Sequence, residues 1–211
     1  MSEKIAGVVV PDSALVREAT DLIRSTTPPL IYHHSRRVYL FGSLQAARGL
    51  APDPEMLYVA ALFHDTGLVE PYRSADQRFE MDGADQARAF ALAHGMSAAD
   101  AETVWTAVAL HTTPEVPYKL APEIAATTAG VETDVLGLNL GNLTRAQIEE
   151  VTAAHPRPDF KRRILQAFTD GFRHRPVTTF GTVNADVLAH FVPGFRRVDF
   201  VDVVNGSDWP E

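Results

Sequence analysis

The sequence predicts an all-α fold, a single bundle of about eight helices covering residues 1–211. Three observations carry that reading. Apolar residues recur at helical spacing through most of the chain. Ser, Thr, Asp and Pro mark the helix starts, and Gly and Pro mark the stops. Hydrophobic residues make up 45% and charged residues 22% of the chain, enough apolar side chain for one sizeable core. No linker divides the sequence. The core is expected over about 30–140, with helices over 144–191 packed on it and an irregular tail over 192–211.

The elements follow in order. Pro11-Asp12-Ser13 opens a helix with Leu15, Ala19, Leu22 and Ile23 on one face, ending near Thr26-Thr27-Pro28-Pro29. A second starts at Pro29, carries Leu30, His34, Val38 and Phe41, and closes at Gly49. Asp53-Pro54 is an N-cap and first-turn pair for a third, Glu55 to about Asp65, with Gly67 expected to end it in the left-handed conformation. Residues 67–81 (GLVEPYRSADQRFEM) have no sustained period and read as a loop, long enough to be functional. Asp82 is expected to cap a helix running to His94, stopped by Gly95. Ser97-Ala98-Ala99-Asp100 opens the next, with Val104, Trp105, Val108 and Leu110 as core candidates and an end near His111. Pro122 starts a helix with Ile124, Val131, Val135 and Leu138, in which Gly130 and Gly137 permit close packing. Thr144-Arg145-Ala146-Gln147 is a capping box for a helix that stops before Pro156. Asp159 to about His174 is amphipathic, with Phe160, Ile164, Leu165, Phe168 and Phe172 inward. A short helix over 182–191 precedes the tail, whose FVDVV reads as a short strand or packed coil.

Composition removes several functions. A net charge of −8 argues against nonspecific binding to nucleic acid or to anionic membrane. No apolar run is long enough to span a bilayer, and the N-terminal one is too short for a secretory signal, so a cytoplasmic location is expected. With 0 cysteines there are no disulfides, thiolate metal sites or cysteine nucleophile.

The chemistry centres on His64-Asp65, which ends the apolar stretch MLYVAALF. The dipeptide alone is weak, since composition gives about 0.6 such pairs by chance. Its position is more informative, because ionisable groups after a buried helix need a partner or a metal. His34 lies among Leu30, Ile31, Val38 and Leu40, and Asp134 lies mid-helix among Val131, Val135 and Leu136, where aspartate is a poor helix former. Two imidazoles and two carboxylates suit one divalent ion, Zn2+ first, with Fe2+, Mn2+ or Co2+ as alternatives.

The order His34, His64-Asp65, Asp134 resembles the H…HD…D pattern of the HD-domain superfamily of metal-dependent hydrolases. YHHSRRVYLFG (32–42), AALFHDTGL (60–68), RFEMDGADQA (78–87), ALHTTPE (109–115) and AGVETDVLGL (129–138) together look like its cyanamide hydratase-like branch. The likeness covers about residues 30–140. It implies a metal held by His34, His64, Asp65 and Asp134, and hydration of a small nitrile-type substrate such as cyanamide to urea. It also implies a homo-oligomer. In that scheme Asp65 doubles as proton acceptor, and Glu80 or His111 supplies the proton. Phe63, Tyr72, Trp105 and Thr112 are the candidates for the substrate pocket.

Other readings stay open. Phosphohydrolase branches carry a lysine after the His-Asp pair where this chain has Leu68, which disfavours phosphoesters, yet Arg36, Arg37, Arg73, Arg78 and Lys119 offer charge. A di-iron oxygenase would need His94 and His111 on a second ion. A metal-stabilised binding module is the non-enzymatic alternative. Arg37, one turn from His34, is expected to pair with a core carboxylate. His33 reads as structural, and His94, His155, His174 and His190 as surface or capping groups.

Overall fold

Two helices are buried around their circumference, and both carry candidate ligands. In the structure, a computed structural model that describes residues 3–209, α2 spans Pro29–Ala46 and is buried without a break from His34 to Gly42. The second, α3 (Pro54–Phe63), starts a buried run that extends from Met56 to Leu68. A helix apolar on all sides belongs at the centre of a bundle. The others surround them: α1 (Ala14–Thr26), α4 (Phe79–Ala93), α5 (Ala98–Leu110), α6 (Pro122–Leu136), α7 (Arg145–Ala154), α8 (Phe160–Phe172), α9 (Asn184–Phe191) and α10 (Phe200–Asn205). The fold is all-α, with ten helices among the described residues. Its only described sheet is a hairpin, β1 (Lys4–Ile5) and β2 (Val8–Val9), turned by Ala6 and Gly7 at positive φ.

Three capping signals act as read. Asp53 accepts from the Glu55 and Met56 amides, Ser97 accepts from Asp100, and Thr144 and Gln147 form the reciprocal box. Glycine sets the key contact. A Cβ on Gly130 would stand 2.1 Å from the Val38 carbonyl oxygen, and one on Gly42 would stand 2.5 Å from that of Ala126. Backbone therefore meets backbone where antiparallel α2 and α6 cross, and this brings Asp134 opposite His34 and Arg37.

Several boundaries differ from the sequence reading. Gly67 is not left-handed; it is small because a Cβ there would lie 2.0 Å from the Phe79 carbonyl oxygen. The loop ends at Arg78, so Glu80 and Asp82 sit in the first turn of α4. Asp82 caps nothing, because it is taken by the Ser74 amide and by buried Arg175. Arg175 also donates to the carbonyls of Gly67 and Gln77, at 2.8 and 2.7 Å, and so ties the end of α8 to the segment after His64-Asp65. Leu165 is half-exposed rather than inward, and α6 stops at Leu136 with left-handed Gly137 as its cap, leaving Leu138 outside. FVDVV is neither strand nor packed coil. It forms α10, capped by Asp199, with Phe200, Val201, Val203 and Val204 exposed. No described helix is long and apolar enough to cross a membrane.

Candidate metal centre

The C-terminal ends of α3 and α5 and the middle of α2 converge. His64 is the C-cap of α3 and His111 the C-cap of α5, where free carbonyls close each helix. The Nδ1 of His64 donates to the Ala61 carbonyl at 2.8 Å, and the Nδ1 of His111 donates to the Val108 carbonyl at 2.6 Å. A carbonyl only accepts, so each ring carries its hydrogen on Nδ1 and turns the Nε2 lone pair inward. His34 follows the same rule with a different partner, its Nδ1 donating to Asp134 Oδ2 at 2.7 Å. Three imidazoles thus present Nε2 toward one region.

Asp65 lies at the centre of that region. Its Oδ2 is 3.4 Å from His64 Nε2 and 3.5 Å from His34 Nε2, and its Oδ1 is 3.6 Å from His111 Nε2. The residue is fully buried, yet neither oxygen has a hydrogen-bond partner, and His111 Nε2 has none either. Burial pushes the Asp65 carboxyl up, but His64, His111 and His34 outweigh it and hold the group well below the usual carboxylate range. An ionised carboxylate without donors is unbalanced in a protein interior. A cation between Asp65, His34 and His64 restores the balance, and ligand atoms of these three lie within 4.8 Å of one another. The residues fit a divalent metal.

The metal-free charges agree with that reading. Burial disfavours a charge on both His34 and His64. It dominates at His34, whose pKa is lowered, whereas Asp65 and the Ala61 carbonyl raise that of His64. Their Nε2 atoms are 3.1 Å apart, close enough to share a proton, and both would have to be free of it to hold a metal.

Asp134, expected as a fourth ligand, faces the other way. Its Oδ2 engages the outer edge of His34, and Arg37 binds both oxygens, Nε to Oδ1 and Nη2 to Oδ2, each at 2.8 Å. Burial opposes ionisation of Asp134, while His34 and Arg37 depress its pKa more strongly. It is a supporting carboxylate that fixes the tautomer of a ligand. Arg37 pairs with a core carboxylate as expected.

The other candidates divide. Glu80 and Thr112 come to the site: Glu80 is fully buried, and Thr112 Oγ1 donates to its Oε1 at 2.7 Å. Burial favours the neutral acid, but Arg78, His111 and Thr112 hold Glu80 below its ordinary value. Phe63, Tyr72 and Trp105 make their contacts with other groups. Phe63 is core packed on Phe90, Tyr72 bonds Thr26 near the end of α1, and Trp105 donates to Asp85 beneath Arg88. His94 stacks on Phe90 and bonds Glu18, and it does not join the group of His34, His64 and Asp65. His33 meets His155 at 3.2 Å, and His155 is buried at the C-cap of α7. The residue that sequence reasoning missed is Asn184. Buried on α9, it donates from Nδ2 to Glu80 Oε1 at 3.0 Å, and no motif marks it.

Fold and site together define a class: all-helical proteins that hold a divalent ion on histidines and an adjacent His-Asp pair. The HD-domain pattern matches residues 31–152, more than half of the chain, and the protein belongs to the HD-domain family. Members of this family are commonly metal-dependent hydrolases. No curated protein matches the chain.

Proposed function

We propose that this HD-domain protein is a zinc-dependent hydratase that adds water to a small, neutral, nitrile-type substrate such as cyanamide, giving urea. One observation carries the reading: the metal donors are buried, and the arginines that could meet an anionic substrate are each already paired with a carboxylate. Arg36 binds Glu3, Arg37 binds Asp134, Arg73 binds Glu70 and Arg78 binds Glu80. Lys119 is exposed at the end of a 3-10 turn. Leu68, at the position of the phosphohydrolase lysine, is packed with Ile31, Phe79 and Phe160. A compact, uncharged, linear molecule suits such surroundings better than a phosphoester.

Zinc, when bound, supplies the Lewis acidity that lets water act as a nucleophile near neutral pH. The protein supplies the rest. Water oxygen bonds to the nitrile carbon, one C–N π bond breaks, and the nitrogen takes up a proton; tautomerisation then gives the amide. Asp65 Oδ1, free of hydrogen bonds, accepts the proton lost by water. His111 Nε2, 3.6 Å from that oxygen, relays it to nitrogen. Glu80 is held ionised by its donors, which removes it as the acid and leaves His111 in that role. Zinc-loaded protein assayed for urea from cyanamide, beside phosphate from a nucleotide panel, tests the proposal. Urea without phosphate supports it, and phosphate without urea overturns it.

A further inference from the structure

A second cavity, of about 260 Å³, lies where the end of α6 meets α7 and the start of α8, with Asp134 in its wall. That volume is just under the range of about 300–1,000 Å³ that takes drug-sized ligands, so it fits a smaller molecule. Phe41, Leu136, Leu140 and Ile148 line it with apolar surface, and Arg157 and Lys161 bring positive charge. The charge is only partly answered. Arg37 already matches the Asp134 carboxylate, at 2.8 Å on each oxygen. The free carbonyls that end α6 amount to about half a negative charge. Arg157 meets them with Nη2, which donates to the Asp134 carbonyl at 2.6 Å, while its Nη1 has no partner among the described residues. Lys161 is in no ion pair among them, although its neighbour Arg162 is held by Asp159. The rim is apolar as well. Leu136 is 64% exposed and Leu140 37%, with Leu138 between them in sequence at 46%. Single exposed leucines are ordinary, but a cluster of them beside free cations marks a binding surface.

We propose that this cavity binds a small aliphatic monocarboxylate, its head on Lys161 Nζ and Arg157 Nη1 and its chain along Leu136, Leu140 and Ile148. A carboxylate has two oxygens for the two donors, and charge-assisted bonds of this kind are the stronger ones. An inorganic anion such as phosphate satisfies the cations but leaves the leucines in water. An alcohol or alkane covers the leucines but leaves the cations without a counter-charge. Only a molecule with both parts meets both demands. None of the residues that touch the ligand is a metal donor or takes part in the hydration step, so the site stands whether or not the protein hydrates nitriles. It does share Asp134 with the metal centre, because Arg157 grips the backbone of the residue that orients His34.

Titration of the full chain with hexanoate, 1-hexanol, acetate and inorganic phosphate separates head from tail, and NMR of labelled methyl groups locates the ligand. Hexanoate is expected to bind at least about tenfold more tightly than 1-hexanol, which lacks the charge, and than acetate, which lacks the chain. Methyl shifts should centre on Leu136, Leu140 and Ile148. Lys161 is exposed and unpaired, so Lys161→Glu leaves the fold intact; it should weaken hexanoate by about tenfold or more and leave 1-hexanol unchanged. Leu136→Ser, also at an exposed position, should weaken hexanoate severalfold. Hexanoate bound no more tightly than 1-hexanol or phosphate, or not bound at all, overturns the proposal. So does wild-type affinity in Lys161→Glu, or a set of shifts centred instead on Val201, Val203 and Val204 of α10.

Discussion

Asp134→Asn removes one charge from the point where α2 and α6 meet, and its effect follows from the contacts. The carboxylate accepts three close bonds, one from His34 Nδ1 and two from Arg37. An asparagine oxygen keeps part of the Arg37 interaction, but its amide nitrogen then faces a donor on either His34 or Arg37. Charge-assisted bonds contribute about 1.5–3 kcal/mol each, and breaking a buried ion pair costs about 3–5 kcal/mol because the stranded partner stays desolvated. Arg37 is fully buried, so the upper figure applies to the metal-free protein. For a chain of this size that is a fall in Tm of about 6–20 °C. Affinity for a divalent metal falls by about 10–100-fold, as expected when an orienting partner of a ligand is lost. Calorimetry of the metal-free variant and competition with a chelating dye measure the two effects. An unchanged metal-free Tm together with complete loss of zinc would refute the reasoning, since that result places Asp134 on the ion.

Three further perturbations test the scaffold. Gly130→Ala sets a methyl 2.1 Å from the Val38 carbonyl oxygen and is expected to destabilise the fold by about 1–3 kcal/mol in urea denaturation; a neutral result would mean that α2 and α6 pack less closely. Arg175→Ala strands Asp82 and three carbonyls and should cost about 3–5 kcal/mol by the same measurement. His155 has its pKa pushed down to about 3 by burial and by Arg36, His33 and Arg37, against 6.5 when unfolded. The unfolded chain therefore takes up this proton first, so stability present above pH 6.5 is lost as pH falls toward 3, by about 1.4 kcal/mol per unit from this group. His155→Gln should reduce the acid slope by that amount, and an unchanged slope would show that His155 protonates freely in the fold.

The helices were legible because their punctuation is local. Asp53, Ser97 and Thr144 act on amides two or three residues away, within reach of sequence reasoning. His34, His64 and Asp65 were legible for another reason: charge inside a continuous apolar run demands compensation wherever the chain goes. The role of Asp134 was not, since a ligand and the carboxylate behind a ligand look alike in one dimension. Asp82 was misread because its partner, Arg175, is 93 residues away and outweighs any local cap. Asn184 left no mark at all, being a single polar residue on a short helix. Phe63, Tyr72 and Trp105 lie near the site in sequence, and their contacts are with Phe90, Thr26 and Asp85, which sequence spacing does not disclose.

The three imidazoles are aimed by unequal means. His64 and His111 are each gripped by the carbonyl three residues back, so their headings are set as soon as α3 and α5 coil. His34 takes its heading from a carboxylate 100 residues downstream, which only the packing of α6 on α2 brings to it. Tight metal loading therefore depends on the contact between α2 and α6, because a chain without it offers His34 unaimed and only part of the coordination set.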